Sequence, residues 1–131
     1  MIVDINLFYF AFEQKPNIMK STFINRVELK GHVGHDPKIT EVGESQVARF
    51  SLATNETFKD KKGEIKEETT WHNITAWSGR NIADFSLIRK GMLVSVIGRI
   101  RNVRYTSSSG DERQFMEILA GKVTIVPPTE Q

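Results

Sequence analysis

Between Thr22 and Val126, apolar residues return at every second position in run after run, and only once at helical spacing. A period of two sends alternate side chains to opposite faces of an extended strand, so this chain is committed to building sheet. Val27, Leu29 and Val33 fall on one side of a first run with Gly31 between them, and Arg26, Glu28, Lys30 and His32 on the other. Asp36-Pro37 ends that run with turn chemistry, and the Gly43 region makes a second turn. Ala48, Phe50 and Leu52 then alternate with Val47, Arg49 and Ser51. A charged tip from Lys59 to Lys66, around Gly63, leads as an exposed hairpin into a third strand, Thr69 to Trp77. Ile82, Phe85 and Leu87 or Ile88 sit near helical spacing before Gly91, which predicts one short helix. Val94, Val96, Gly98 and Ile100 restore the alternation. Tyr105 to Asp111, with three serines and Gly110, reads as a flexible loop. A last strand runs from Gln114 to about Val126, bent near Gly121, and Pro127-Pro128 ends it.

Three strands, one helix and two more strands in 131 residues predict an all-β fold. It is a five-stranded Greek-key barrel of the OB type, with the short helix between strands 3 and 4. The length suits a single domain. We divide the chain into an N-terminal arm or extension (1–21), the barrel (22–127) and a short tail (128–131). The arm carries Leu7-Phe8-Tyr9-Phe10-Ala11-Phe12 and then Lys15-Pro16-Asn17, and is read as an extra strand, a sticky arm or an upstream extension. Its most apolar stretch, Ile5 to Phe12, is too short to span a bilayer and has no basic residue ahead of it. A cytoplasmic protein without membrane contact is expected. With no cysteine, disulfides, thiolate zinc sites and cysteine nucleophiles are excluded. Net charge is only +2, so binding of a polyanion must come from where charges are placed.

The third strand is the most informative. Alternation puts Trp71, Asn73, Thr75 and Trp77 on one face and His72, Ile74 and Ala76 on the other. Ile74 and Ala76 mark the second face as core, which leaves both tryptophans on a wet one. Two large rings in water forgo burial free energy unless something covers them. Another strand, the N-terminal arm or a second subunit would serve. So would unpaired nucleic-acid bases, since stacking on an aromatic is worth about 1–3 kcal/mol per base and demands no sequence.

Basic residues favour the bases. Lys59, Lys61 and Lys62 precede this strand with Phe58 beside them, while Arg99, Arg101 and Arg104 line the fourth strand and its exit, followed by Tyr105. A phosphate backbone needs cations at intervals and its bases need flat partners between them. Other chemistry has little support. His32 and His35 point to opposite faces in an extended strand and have no third ligand, so no metal is expected. His72 lies on the core-side face and reads as a packed or interface residue. No phosphate-cradling glycine loop, nucleophile elbow or Ser/His/Asp group is present, so neither catalysis nor a cofactor is expected.

The chain resembles the bacterial single-stranded DNA-binding proteins from about Ile24 to Val126. The matching segments begin with Ile24-Asn25-Arg26-Val27-Glu28-Leu29-Lys30-Gly31, Gly34-His35-Asp36-Pro37 and Ala48-Arg49-Phe50-Ser51-Leu52-Ala53-Thr54. They continue with Glu68-Thr69-Thr70-Trp71-His72, Arg89-Lys90-Gly91 and Gly98-Arg99-Ile100-Arg101. The resemblance implies an OB fold, assembly as a homotetramer, and coverage of single-stranded DNA in replication, recombination and repair. It implies stacking roles for Phe58, Trp71, Trp77 and Tyr105, and a place at a subunit interface for His72. Phe58 and Tyr105 stand where many relatives carry tryptophan, so stacking there should be weaker. Relatives also carry a flexible linker and an acidic, apolar C-terminal tip that recruits repair proteins. The sequence here ends at Pro127-Pro128-Thr129-Glu130-Gln131, so recruitment through such a tip is not expected. The competing expectations are an OB-type accessory subunit, primosome-like, whose Trp71 and Trp77 sit in a protein interface, and an RNA-binding domain of the cold-shock type.

Overall fold

The computed structural model describes residues 22–131. The aromatic run at positions 7–12 and the rest of the predicted arm up to residue 21 lie outside the described residues. Six strands form the fold: β1 (Val27–Val33), β2 (Lys38–Val42), β3 (Ser45–Lys59), β4 (Ile65–Trp77), β5 (Leu93–Thr106) and β6 (Glu112–Ile125). The sheet order is β1-β5-β6-β4-β3-β2, and β1 also pairs with β3 through His32–Ala53 and Val33–Leu52. That extra pairing closes β1, β3, β4, β5 and β6 into a five-stranded barrel, as the alternation predicts. Closure demands close approach: a Cβ on Gly31 would run into the Ala53 carbonyl of β3.

Two elements differ from expectation. Lys38–Val42, read only as the span between two turns, is an antiparallel strand on the outer edge of β3. All five of its residues are exposed, so it lacks the dry face that makes alternation visible. The predicted helix shrinks to one 3-10 turn, Phe85–Leu87, whose start is held by the Asp84 carboxylate accepting from the Ser86 N–H and hydroxyl. The apolar spacing was real, but it serves a plug: Phe85 and Ile88 are buried at one end of the barrel.

The core comes from alternate residues: Ala48, Phe50 and Leu52 of β3 face Ala76, Ile74 and His72 of β4, while Val94 and Val96 of β5 join Val123 and Ile118 of β6 in the interior. Leu52, Ile74, Ile88, Val94 and Val96 are fully buried, each worth about 1.5–3 kcal/mol relative to exposure. The bend expected near Gly121 is present. Ile97 pairs with Lys122 and Gly98 with Ala120, so Gly121 is the extra residue of a bulge. β4 and β6 meet as parallel neighbours only over Ile74–Ala76 and Ile118–Ala120. Away from this short seam the β3–β4 and β5–β6 hairpins leave the barrel as two long arms; the first is the long, exposed hairpin expected around Gly63, and the second is longer than the sequence predicts. The second turns through Ser107–Asp111, which shortens the predicted flexible loop to a tip.

Candidate nucleic-acid interface

Direct cross-strand partners point to the same side of a sheet, so the pairings fix which residues share the outer face. On β4 these are Trp71, Asn73, Thr75 and Trp77, and their partners on β3 are Ala53, Ser51, Arg49 and Val47. Thr75 adjoins Leu119 of β6, which pairs with Arg99 of β5, and Glu117 pairs with Arg101. Trp71 is 60% and Trp77 42% exposed, so both rings stand on the wet face that alternation assigned them. Gly34 makes room for Trp71: a Cβ there would sit 2.5 Å from the ring's Cζ3 and 2.5 Å from the Ser51 hydroxyl.

Thr75 departs from expectation. It lies on this face yet is only 3% exposed, because the Glu117 side chain of β6 covers it. The Thr75 hydroxyl donates to Glu117 Oε1 at 2.7 Å, and Arg101 Nε donates to Glu117 Oε2 at 2.6 Å. Glu117 is itself 4% exposed, so its charge is held by these two donors rather than by water. Arg101 is therefore engaged by a carboxylate, whereas Arg99 has no ion-pair partner among the described residues.

The remaining predicted residues divide by geometry. Tyr105 is on the same face as Arg99 and Arg101, edge-on to Phe115 with ring centroids 5.9 Å apart. Lys59 shares the tryptophans' side of the β3–β4 hairpin. Phe58, paired with Lys66, is exposed on the opposite side of that ribbon. Lys61 and Lys62 stand in the tip, where the Asp60 carboxylate accepts from the Lys62 and Glu64 N–H groups. Arg104, paired with Gln114, is on the side opposite Tyr105. His72 is half-buried across from Leu52 and shares a 2.9 Å hydrogen bond with the Thr54 hydroxyl. Burial lowers its pKa from the usual 6.5 by penalising the imidazolium.

Sequence alone missed Lys38, Arg49 and Phe115. With His35, Ser51, Asn73, Thr75 and Glu117 they line a groove of about 310 Å³ on the outer face. Arg49 was visible on the outward side of its strand, but only the pairing of β2 with β3 sets Lys38 beside it. Among the described residues no group of three His, Cys, Asp or Glu side chains could hold a metal ion, and no helix is long and apolar enough to cross a membrane.

Residues 24–126 match the model of the single-strand binding protein family. The chain belongs to that family. Among its relatives, the single-stranded DNA-binding protein of Neisseria meningitidis serogroup A is 36% identical over 106 residues, covering 79% of this chain and 60% of the relative. The single-stranded DNA-binding protein 1 of Chlorobaculum tepidum is 38% identical over 100 residues, 73% of this chain and 60% of its own. The chain thus spans about 60% of the length of these two relatives. The mouse mitochondrial single-stranded DNA-binding protein is 34% identical over 111 residues, 79% of this chain and 73% of that one. Among solved structures, the Plasmodium falciparum SSB complex with ssDNA superposes with a TM-score of 0.64 at 29% identity, over 83% of this chain and all of that one.

Proposed function

We propose that this family member binds single-stranded DNA with little sequence preference, covering it during replication, recombination and repair, and has no catalytic activity of its own. The observation that carries this reading is the pair of exposed tryptophans on one face of β4, with Arg49 and Arg99 on the same outer face, Tyr105 further along the Arg99 side of β5, and a closed barrel beneath. Rings fixed on a rigid strand stack on bases without first being ordered, and cations beside them take the phosphates. Trp71, Trp77 and Tyr105 are the stacking platforms. Arg99 and Lys59 bind phosphates, while Phe58, Lys61, Lys62 and Arg104 engage DNA where it passes around the hairpins rather than on the central face. Arg101 contributes mainly by holding Glu117.

The family names of the relatives and the Plasmodium complex support this reading. A homotetramer acting in the cytoplasm is part of the same proposal, with His72 near a subunit contact. The test is fluorescence anisotropy of labelled oligo-dT with unlabelled single-stranded or duplex competitors. Displacement by single strands of any sequence, but not by duplex, is expected. Absence of oligo-dT binding at low salt contradicts the proposal and leaves Trp71 and Trp77 to a protein interface.

A further inference from the structure

A strand stacked on both tryptophans has to cross the middle of the face. Trp71 and Trp77 are six residues apart on one strand, about 20 Å, so the backbone of the bound strand passes over Asn73 and Thr75. Of the sequence-predicted cations beside that stretch, Arg101 is bound to Glu117 at 2.6 Å, and Arg99 stands on the far side of Leu119 from Thr75. Two other cations stand there. Lys38 pairs directly with Arg49 across β2 and β3, and Arg49 pairs directly with Thr75 across β3 and β4, so the three form one row across the face. Both cations line the outer groove, and neither has an acidic side chain in ion-pair range among the described residues. The one carboxylate in that groove wall, Glu117, is already satisfied by Arg101 and Thr75.

Like charges directly opposite each other in a sheet destabilise it unless an anion lies between them. A phosphate supplies that anion, and a guanidinium beside an ammonium can grip it with several charge-assisted hydrogen bonds. We propose that Lys38 and Arg49 form a phosphate-binding shelf that holds the backbone of single-stranded DNA between the bases stacked on Trp71 and Trp77. The shelf rests on the reading of this face as a single-stranded DNA site, and adds to it residues from the edge strand β2.

The test compares the full chain with the double variant Lys38→Gln/Arg49→Gln in oligo-dT titrations followed by tryptophan quenching across a salt series. For every phosphate the variant no longer neutralises, the slope of log affinity against log salt should become shallower by about 0.7. The fall in affinity between about 50 and about 200 mM salt should then shrink about threefold to sevenfold. Maximal quenching should persist, because the rings are untouched, and Arg49→Lys with Lys38 intact should keep the original slope. Lys122→Gln, in a separate recess with Glu28 and Thr124, should also keep it. The unfolding midpoint of the double variant should not fall, since a repulsive pair has been removed. A wild-type slope in the double variant overturns the shelf alone. Failure of the unsubstituted protein to bind oligo-dT overturns the shelf together with the DNA site.

Discussion

Trp71 and Trp77 project from one rigid strand without being buried, so truncating them should cost binding and leave folding nearly intact. Trp71→Ala is expected to lose about 1–3 kcal/mol of oligo-dT affinity while its urea midpoint stays close to the parent's. Gly34→Ala should push the Trp71 ring away, since its Cβ would lie 2.5 Å from Cζ3. The expected readout is a shifted tryptophan emission and reduced quenching by oligo-dT in a protein that remains folded. Arg99 and Arg101 should behave as opposites although sequence gives them the same role. Arg101→Ala strands the buried Glu117 carboxylate with one donor fewer and should lower stability by about 1–3 kcal/mol, measured by urea unfolding. Arg99→Ala should leave the midpoint unchanged and make the salt slope of binding shallower by about 0.7. The tryptophans were legible in the sequence because Ile74 and Ala76 identified the dry side of their strand. Thr75 was not, because its burial depends on Glu117 arriving from β6, and that neighbour cannot be read from β4. For the same reason the pairing of Arg101 with Glu117 was invisible, and Phe115 passed unnoticed until it met Tyr105 edge-on.

Strands are legible where one side is dry, and this explains which elements the alternation found. The barrel portions of β1, β3, β4, β5 and β6 each carry buried residues on their inward side. The β3–β4 and β5–β6 arms are wet on both sides, so Thr57–Glu68 and Asn102–Gln114 lose the pattern although they are mostly paired strand. β2 is missed on the same ground, being exposed throughout. The segment before Gly91 has the reverse problem. Its Phe85 and Ile88 are buried by capping the barrel end, and a three-residue turn satisfies them as well as a helix would. Protection should follow this division. In native-state amide exchange, the parallel seam at Ile74–Ala76 and Ile118–Ala120 should be among the slowest regions. The hairpin tips at 60–64 and 107–111 should exchange faster than the barrel strands. Equal protection along the full length of both hairpins would contradict the view of them as arms outside the core.

At the scale of the whole molecule, a closed barrel with a dry interior supports an outer face that stays wet and charged until a partner covers it. His72 links stability of this barrel to pH. Burial makes its folded pKa lower than its unfolded value near 6.5, so the unfolded chain takes up the proton first as pH falls. Its contribution is therefore full above about pH 6.5 and is lost as pH falls through the depressed folded pKa. His72→Gln should flatten the pH dependence of the urea midpoint in that window, and an unchanged profile would show that His72 is not its source. The family and the barrel were readable from short motifs and alternation, since both are properties of strand order and core pattern. The layout of the binding face was only partly readable, since it needs the pairings that bring β2, β3, β4, β6 and β5 side by side. The central claim is that Trp71 and Trp77 meet DNA bases. It is tested most directly by titrating the intrinsic tryptophan fluorescence with unlabelled oligo-dT at several salt concentrations. Strong quenching that weakens steeply with salt and is absent with duplex DNA is the predicted result. No quenching and no binding at low salt would contradict it and assign the two rings to a protein partner.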